Sequence, residues 1–210
     1  MKIAVIGGNG KAGQLIVKEA QARGHVVVAI VRKDTGLLGK VKVIEKDLFD
    51  LVYEDIKDCD MIVNAFGLWQ PEIMPQFVMA AKHLSEILNG KENRLLVVGS
   101  AGSLYVDEAQ TTMFIDTPDM PDFAIPVAKA QAETLEYLRL RKHVRWTYLS
   151  PPVDFRVDGE RTGTYKLGKE QLILSSAGES QISYADYAVA VIDEMENAQH
   201  VQARFSVVAV

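Results

Sequence analysis

A glycine-rich turn near the start of the chain most constrains the fold. Gly7, Gly10 and Gly13 recur every three residues, after the apolar segment 2–6 and before residues 14–20, whose apolar positions have helical spacing. A strand, a tight turn and a helix in that order gather backbone N–H groups and the positive end of a helix dipole at one point, where a pyrophosphate can bind. The turn therefore predicts a βαβ unit with a dinucleotide site.

Each glycine has a separate expected role. We expect Gly7 to allow the sharp turn out of the strand, Gly10 to let the backbone approach the phosphates, and Gly13 to let the helix pack against the sheet. The spacing is G-x-x-G-x-x-G, whereas the usual dinucleotide fingerprint is G-x-G-x-x-G. A turn with a purely structural role is therefore the alternative interpretation.

Strand and helix patterns alternate along all 210 residues. Apolar runs predict further strands at 25–31, 41–45, 60–64, 94–98, 145–149 and 205–208, and helical patterns cover 73–88, 126–140 and 184–196. Helices that connect apolar strands imply parallel βαβ units with right-handed crossovers. We predict one α/β domain over residues 1–210, a Rossmann-type doubly wound parallel sheet with strand order 3-2-1-4-5-6 and an added seventh strand.

Composition and charge exclude several classes of partner. The net charge of −5 gives no general attraction to nucleic acid or to an anionic membrane. The first strand begins at Lys2, which leaves no room for a signal peptide, and no apolar run has the length of a membrane span. We expect a cytoplasmic protein without a metal site, in which the single cysteine, Cys59, is a thiol at the edge of the core.

In a doubly wound sheet, a ligand lies across the carboxyl ends of the strands. Arg32 follows the second strand, where an NAD-binding protein would carry an acidic residue for the ribose 2′-hydroxyl. A guanidinium suits a 2′-phosphate instead, and Lys33 adds a second positive charge. We therefore predict NADP(H) in preference to NAD(H). The alternatives are that Asp34 turns inward and favours NAD, or that Arg32 is only a solvated loop residue.

The ends of the third and fourth strands offer further cofactor contacts. Asp47 can accept a hydrogen bond from the adenine amino group, and Leu48 can cover the ring. Ala65 and Gly67 are small enough for the ribose to lie against the backbone. Phe66 can border the nicotinamide, although a core aromatic residue would have the same pattern.

Ser100 follows the fifth strand and begins a long segment, 100–125, without strong periodicity. Its hydroxyl can meet a substrate or the nicotinamide carboxamide, or it can cap local backbone. Connections of this length in compact domains are usually functional or disordered. The segment also contains Tyr105, whose hydroxyl is a candidate acid.

A second segment, 153–180, is predicted to cover the substrate side. Glycines punctuate the short runs 164–167 and 171–174, which favours a small β-hairpin over the cofactor. Arg161 and Lys166 are candidates for contact with an acidic ligand, or are exposed hairpin charges.

Segments 128–133, 146–152 and 182–188 make a resemblance specific. The chain resembles an atypical short-chain dehydrogenase/reductase of the NAD(P)H-binding group that includes NADH-flavin reductase-like, biliverdin-reductase-B-like and NmrA-like proteins. Residues 182–188 match the I-S-x-x-D-x-A pattern at the start of the last helix of that family. The resemblance implies the fold and the cofactor, but the group includes reductases, epimerase relatives and nucleotide-sensing regulators.

The resemblance also implies roles for individual residues. The cofactor-binding residues that it implies are Gly7, Asn9, Gly10, Lys11, Ala12 and Gly13 at the phosphates, Arg32 at the adenosine ribose, Asp47 and Leu48 at adenine, and Ala65, Phe66, Gly67, Ser100, Lys129 and Pro151 along the rest of the cofactor. Lys129 stands at the lysine of the family's Y-x-x-x-K motif, and Ile125 stands where the tyrosine is expected. Ser150 replaces the arginine that many relatives carry before the proline.

The missing tyrosine distinguishes reaction types. Ketone reduction requires a proton donor for a basic alkoxide, and isoleucine cannot supply one. A flavin accepts hydride on a delocalised ring whose protonation can be left to solvent. The expected function is therefore NAD(P)H-dependent reduction of flavin or a similar small planar acceptor, with Ser100, Lys129 and Tyr105 as catalytic candidates.

Two alternatives remain open. One is a dinucleotide-sensing regulator that signals through a protein partner, and the other is a relative of the sugar-nucleotide epimerases. We expect a monomer or a homodimer.

Overall fold

The computed structural model describes residues 1–67 and 70–210. The described strands are β1 (Lys2–Ile6), β2 (Val26–Val31), β3 (Lys42–Glu45), β4 (Met61–Asn64), β5 (Arg94–Val98), β6 (Arg145–Ser150), β7 (Asp154–Arg156), β8 (Lys166–Gly168), β9 (Gln181–Ser183) and β10 (Ala203–Val208). The α-helices are α1 (Lys11–Ala22), α2 (Tyr53–Ile56), α3 (Gln76–Ile87), α4 (Ile125–Arg139) and α5 (Tyr184–Asn197). Within these ranges, no helix combines the length and the apolarity that a membrane crossing requires.

The main sheet has the predicted topology. Its described strands lie in the order β3-β2-β1-β4-β5-β6-β10-β8, and every neighbouring pair is parallel except β10 with β8. The predicted order 3-2-1-4-5-6 is confirmed, and β10 is the predicted seventh strand. A parallel sheet requires crossover connections, which the helices and longer loops supply.

Helices cover both faces of the sheet. On one face, α1 and α5 pack against a cluster that includes Ile3 and Val5. On the other face, α3 and α4 pack against a cluster that includes Ala4 and Ile6. Because successive residues of a strand point to opposite faces, burial of both faces explains why the central strands are apolar without alternation.

The third helix begins later than its pattern predicted. The helical pattern starts at residue 73, but α3 begins at Gln76, after a 3-10 turn at Pro71–Ile73. Pro75 explains the difference, because a proline disfavours helical geometry in the residue before it and is tolerated at a helix start.

The predicted hairpin of residues 164–167 and 171–174 is wrong. Lys166–Gly168 pairs in antiparallel fashion with β10, and the Leu172 N–H donates to the Tyr105 carbonyl oxygen at 2.8 Å. A parallel pair of β7 with β9 forms a separate small sheet in the same part of the chain. The two halves of the predicted hairpin thus have different partners: residues 166–168 pair with the free edge of β10, and residues 171–172 contact Tyr105.

A buried ion pair joins the sheet to the last helix. Arg94 of β5 donates to a Glu194 carboxylate oxygen at 2.6 Å and to the Glu194 carbonyl oxygen at 3.1 Å. The two side chains are only 5% and 3% exposed. Since water is excluded, neither charge can be left without its partner cheaply.

We expect Arg94→Met to lower the free energy of unfolding by about 3–5 kcal/mol, because it removes the guanidinium partner of the buried Glu194 carboxylate and leaves it only the contacts with His200. The matched control is Arg145→Met on the neighbouring strand, where Arg145 pairs with Glu92 at 3.0 Å with both side chains much more exposed. Arg145→Met should lower the free energy of unfolding by less than about 1 kcal/mol. Guanidinium denaturation measures the free energy of unfolding of both variants. Equal losses in the two variants would contradict the conclusion that the buried ion pair contributes more to stability than the exposed one.

Candidate functional site

A groove with two chambers crosses the carboxyl ends of the parallel strands. The first chamber has a volume of about 530 Å³ and the second about 540 Å³. Both are lined by Gly10 and by the segment after β4, Ala65, Phe66 and Gly67. The two chambers are therefore halves of one continuous groove, at the edge where a doubly wound sheet binds its ligand.

The turn between β1 and α1 is built around two glycines that accept no side chain. Gly7 has a φ of +75°, and a Cβ there would lie 2.8 Å from the Ala65 carbonyl oxygen. A Cβ at Gly13 would lie 2.2 Å from the Gly7 carbonyl oxygen. Gly7 makes the expected sharp turn, whereas Gly13 allows the helix to pack closely on the turn itself.

Gly10 has a different environment. It is the N-cap residue of α1, and its N–H donates to the Gly7 carbonyl oxygen at 2.8 Å. An added Cβ would have that carbonyl oxygen, at 3.1 Å, as its one neighbour within 4 Å among the described residues. The missing side chain therefore leaves an open cradle on the groove side, which is the shape that a pyrophosphate requires.

Asn9 links the turn to the segment that follows β2. Its side-chain amide donates to the Lys33 carbonyl oxygen at 2.8 Å, while its own carbonyl oxygen accepts from the Gln14 side chain at 2.8 Å. Lys11 and Ala12, the first residues of α1, line the second chamber. The turn therefore has a fixed position relative to both halves of the groove.

Three cations line the first chamber: Arg32, Lys33 and Lys46. Lys46 is paired with Asp55 at 2.7 Å, whereas Arg32 and Lys33 are exposed. Asp34 is not part of this lining, because its carboxylate accepts from the Gly36 N–H at 2.9 Å in a local turn. The chamber wall after β2 is therefore positively charged.

Asp47 and Leu48 lie in the same chamber, as expected. The Asp47 carboxylate accepts from the Phe49 N–H at 3.0 Å and so caps a short 3-10 turn. Leu48 is buried, and the Phe49 ring meets the Phe66 ring edge to face at 6.4 Å. This end of the groove thus has an apolar floor and a carboxylate beside it.

Aromatic and aliphatic side chains form the walls of the second chamber. Phe66 and Phe77 contact each other edge to face at 5.7 Å on one side, and Phe155 and Tyr184 have ring centroids 3.8 Å apart on another. Among the described lining residues, Lys11 carries the only charge. Such a slot is suited to a planar, largely apolar molecule.

A buried tyrosine supports the chamber from below. The Tyr148 hydroxyl accepts from the Ser100 N–H at 3.3 Å and donates to the Gln131 side-chain oxygen at 3.1 Å. Burial raises the pKa of Tyr148 to about 12, so the phenol stays protonated at neutral pH. The ring fills the space where a Cβ of Gly99 would lie, which explains the glycine at that position.

The catalytic candidates do not gather in the groove. Lys129 is exposed on α4, while Val127 and Gln131 of that helix line the second chamber. Tyr105 forms isolated bridges with Met113 and Gln171. Neither chamber's described lining includes Ser100, Tyr105, Lys129 or the buried Pro151, so their assigned roles stay predictions.

Sequence reasoning missed most of the second chamber. Segment 153–180 was expected on the substrate side, but Phe155 and Val157 were not singled out within it, and the pattern at 182–188 did not connect Tyr184 with the groove. Val127 and Gln131 lie one helical turn apart, so their shared face was readable from the spacing.

The described residues contain no group of three or more His, Cys, Asp or Glu side chains placed to hold a metal ion. Cys59 is buried, and this burial raises the pKa of its thiol.

Known proteins resemble the chain over most of its length. A model of an NAD(P)H-binding family matches residues 7–197. The uncharacterized protein YwnB of Bacillus subtilis strain 168 is 49% identical over 211 residues, which covers 100% of this chain and 99% of that protein.

Solved structures give the same result. SP1627 of Streptococcus pneumoniae TIGR4, whose assignment as an NADH-flavin reductase is provisional, is 45% identical with a TM-score of 0.96 and 100% coverage of both chains. A Bacteroides thetaiotaomicron protein, provisionally assigned as an epimerase, is 34% identical with a TM-score of 0.85, over 100% of this chain and 97% of that one. The match over residues 7–197 and these full-length relatives show that the chain belongs to the NAD(P)H-binding family.

Proposed function

We propose that the protein is a reductase that binds NADPH along the groove and passes hydride to a flavin or a similar planar acceptor in the second chamber. This proposal rests on the continuity of the two chambers. A cofactor bound across Gly10 and Phe66 would extend from the positively charged first chamber into the aromatic second chamber. The provisional assignment of SP1627 as an NADH-flavin reductase supports the same reaction.

The lining of the groove suits the pyrophosphate and the adenosine half of the cofactor. The N–H groups at the start of α1 would hold the pyrophosphate over the open side of Gly10. Arg32 and Lys33 would contact a 2′-phosphate, and Asp47 with Leu48 would contact adenine. Asp34 is held in its own turn, so the described lining after β2 contains no carboxylate that could accept a hydrogen bond from a free 2′-hydroxyl.

The second chamber favours an acceptor that needs no acid from the protein. When bound, the nicotinamide supplies the hydride. Ile125 begins α4 where the family's tyrosine is expected. The exchangeable protons in the described side-chain lining belong to Lys11, Gln131 and Tyr184, and burial raises the pKa of Tyr184. A flavin can take its proton from solvent, whereas a simple ketone cannot be reduced efficiently in this way.

NADPH should bind more tightly than NADH by about 1–3 kcal/mol, because Arg32 makes charge-assisted contacts with the 2′-phosphate. Arg32→Ala should remove most of this preference. Lys40→Ala is the matched control, because Lys40 is an exposed cation that does not line the first chamber. Titrations of nicotinamide fluorescence measure all affinities, and equal affinity of the unaltered protein for the two cofactors would refute the preference.

Gly10→Val should abolish dinucleotide binding while the protein stays folded, because the new side chain enters the open cradle and not the core. Ala22→Val, at the exposed end of the same helix, controls for the added bulk. Circular dichroism verifies folding and calorimetric titration with NADPH measures binding. A folded Gly10→Val protein with unchanged affinity would show that the turn is only structural.

Bound NADPH should be oxidised in a single turnover when FMN is added, while simple ketones should leave it intact. Tyr184→Phe keeps the ring that packs against Phe155 and removes the hydroxyl, so it should change the rate with FMN by less than about threefold. Loss of a general acid would cost about 10²–10⁴ instead. Stopped-flow absorbance of the nicotinamide gives each rate.

The competing hypothesis predicts another result. If bound NADPH survives every flavin and quinone tried, and dinucleotide binding alters association with a protein partner, the regulator hypothesis replaces the reductase one.

A further inference from the structure

Residues 159–165, here called the strap, connect β7 to β8 and lie across helices α1 and α5. At the first residue of the strap, Gly159, an added Cβ would lie 2.6 Å from the Cβ of Ser183, the N-cap residue of α5, so the backbone passes directly beside that side chain. At its other end, the Tyr165 hydroxyl donates to the Asp193 carboxylate at 2.5 Å. The strap is therefore held against α5 along its length.

Asp186 is the central anchor of the strap. It belongs to the I-S-x-x-D-x-A pattern and is only 2% exposed. One carboxylate oxygen accepts from the Thr162 N–H at 2.9 Å and the Gly163 N–H at 2.7 Å, and the other accepts from the Thr162 hydroxyl at 2.7 Å. These hydrogen bonds of the buried carboxylate all go to one exposed loop.

Arg161 anchors the strap to the other helix. Its guanidinium donates to both carboxylate oxygens of Glu19, at 3.0 and 2.9 Å. This contact holds the pKa of Glu19 below its ordinary value, and the side chain of Glu19 is almost fully buried in the middle of α1. Glu19 also pairs with Arg23, so loss of Arg161 would leave no isolated buried charge.

The strap continues a wall of the second chamber. Phe155 and Val157 line this chamber and immediately precede the strap. Phe155 is fixed by β7 and by the rings of Tyr184 and Tyr187. Val157 lies in the short span between that fixed point and the contact of Gly159 with Ser183. The position of this wall therefore depends on how firmly the strap is held.

We propose that Asp186 and Arg161 are positioning residues for the acceptor. By tying the strap to α5 and α1, they hold Val157 opposite the first turn of α1, where Lys11 and Ala12 line the same chamber, and so set the width of the slot for a planar ring. This inference rests on the proposed function, in which the second chamber holds the acceptor. A purely structural role would weaken the binding of acceptor and cofactor alike. The positioning role predicts that loss of an anchor weakens acceptor binding and leaves cofactor binding unchanged.

Asp186→Ala and Arg161→Ala each remove one anchor. Arg161 is largely exposed, so its variant tests the inference even if Asp186→Ala fails to fold. Asp186→Asn is the conservative rescue, because an amide oxygen can still accept from the two N–H groups and its NH₂ can donate to the Thr162 hydroxyl.

Asp107→Ala is the matched control. The Asp107 carboxylate accepts from the Thr111 N–H, the Thr112 N–H and the Thr111 hydroxyl in the same manner, but in a loop that does not line the second chamber.

Hydrogen exchange of residues 157–168 should become at least about fivefold faster in both alanine variants, since anchoring hydrogen bonds are lost. KM for FMN should rise about fivefold or more, with kcat and NADPH affinity changed by less than about twofold. Asp186→Asn should bring KM for FMN most of the way back to the value of the unaltered protein, and Asp107→Ala should leave that KM unchanged. Faster exchange with an unchanged KM would overturn the inference, and so would an equal loss of NADPH affinity.

Failure of the proposed function would look different. If the unaltered protein transfers no hydride to FMN, quenching of FMN fluorescence by the protein saturated with NADP⁺ replaces KM as the readout. Weaker FMN binding in the two variants then supports the inference although the reductase proposal has failed. The inference is overturned if the variants bind FMN as tightly as the unaltered protein does, or if the unaltered protein does not bind FMN at all.

Discussion

The contact between Gly13 and the Gly7 carbonyl oxygen is the constraint on which the rest of the site depends. A Cβ at Gly13 would lie 2.2 Å from that oxygen, so the first turn of α1 sits as close to the end of β1 as backbone atoms allow. This contact directs the free N–H groups of the helix into the groove, where an anion is favoured. The same helix packs on α5 and carries Glu19, so the phosphate cradle and the far wall share one rigid element.

Charge placement, not total charge, makes the groove suitable for an anionic cofactor. The chain carries a net charge of −5, yet Arg32, Lys33 and Lys46 meet in the first chamber. The second chamber has Lys11 as its one charge among the described lining residues and is otherwise built of apolar and aromatic side chains. NADPH has a matching polarity along its length, since its 2′-phosphate lies at the adenosine end, its pyrophosphate in the middle and its reactive ring at the other end. The groove therefore favours one direction of binding for the proposed cofactor.

Periodicity predicted the sheet order and the first chamber well, because each strand end is fixed by local sequence and the topology rule brings these ends together. Arg32, Asp47 and Phe66 all lie in the groove for this reason. The hairpin prediction failed because strand pairing at 166–168 depends on the free edge of β10, which local sequence does not reveal. Phe155 and Tyr184 were missed for a related reason, since they reach the second chamber through the pairing of β7 with β9.

The absence of a proton donor at position 125 and the construction of the second chamber point to the same chemistry. A site that must protonate an alkoxide needs one group held within hydrogen-bond reach of one atom. Hydride transfer to a planar ring instead requires two flat molecules to be held face to face at the correct distance, which is a matter of wall position. In agreement with this, the buried carboxylates of Asp186 and Glu19 form hydrogen bonds with a loop and not with a reacting atom. For such a reaction, the residues that set the width of the slot take the place that an acid would have in a ketone reductase.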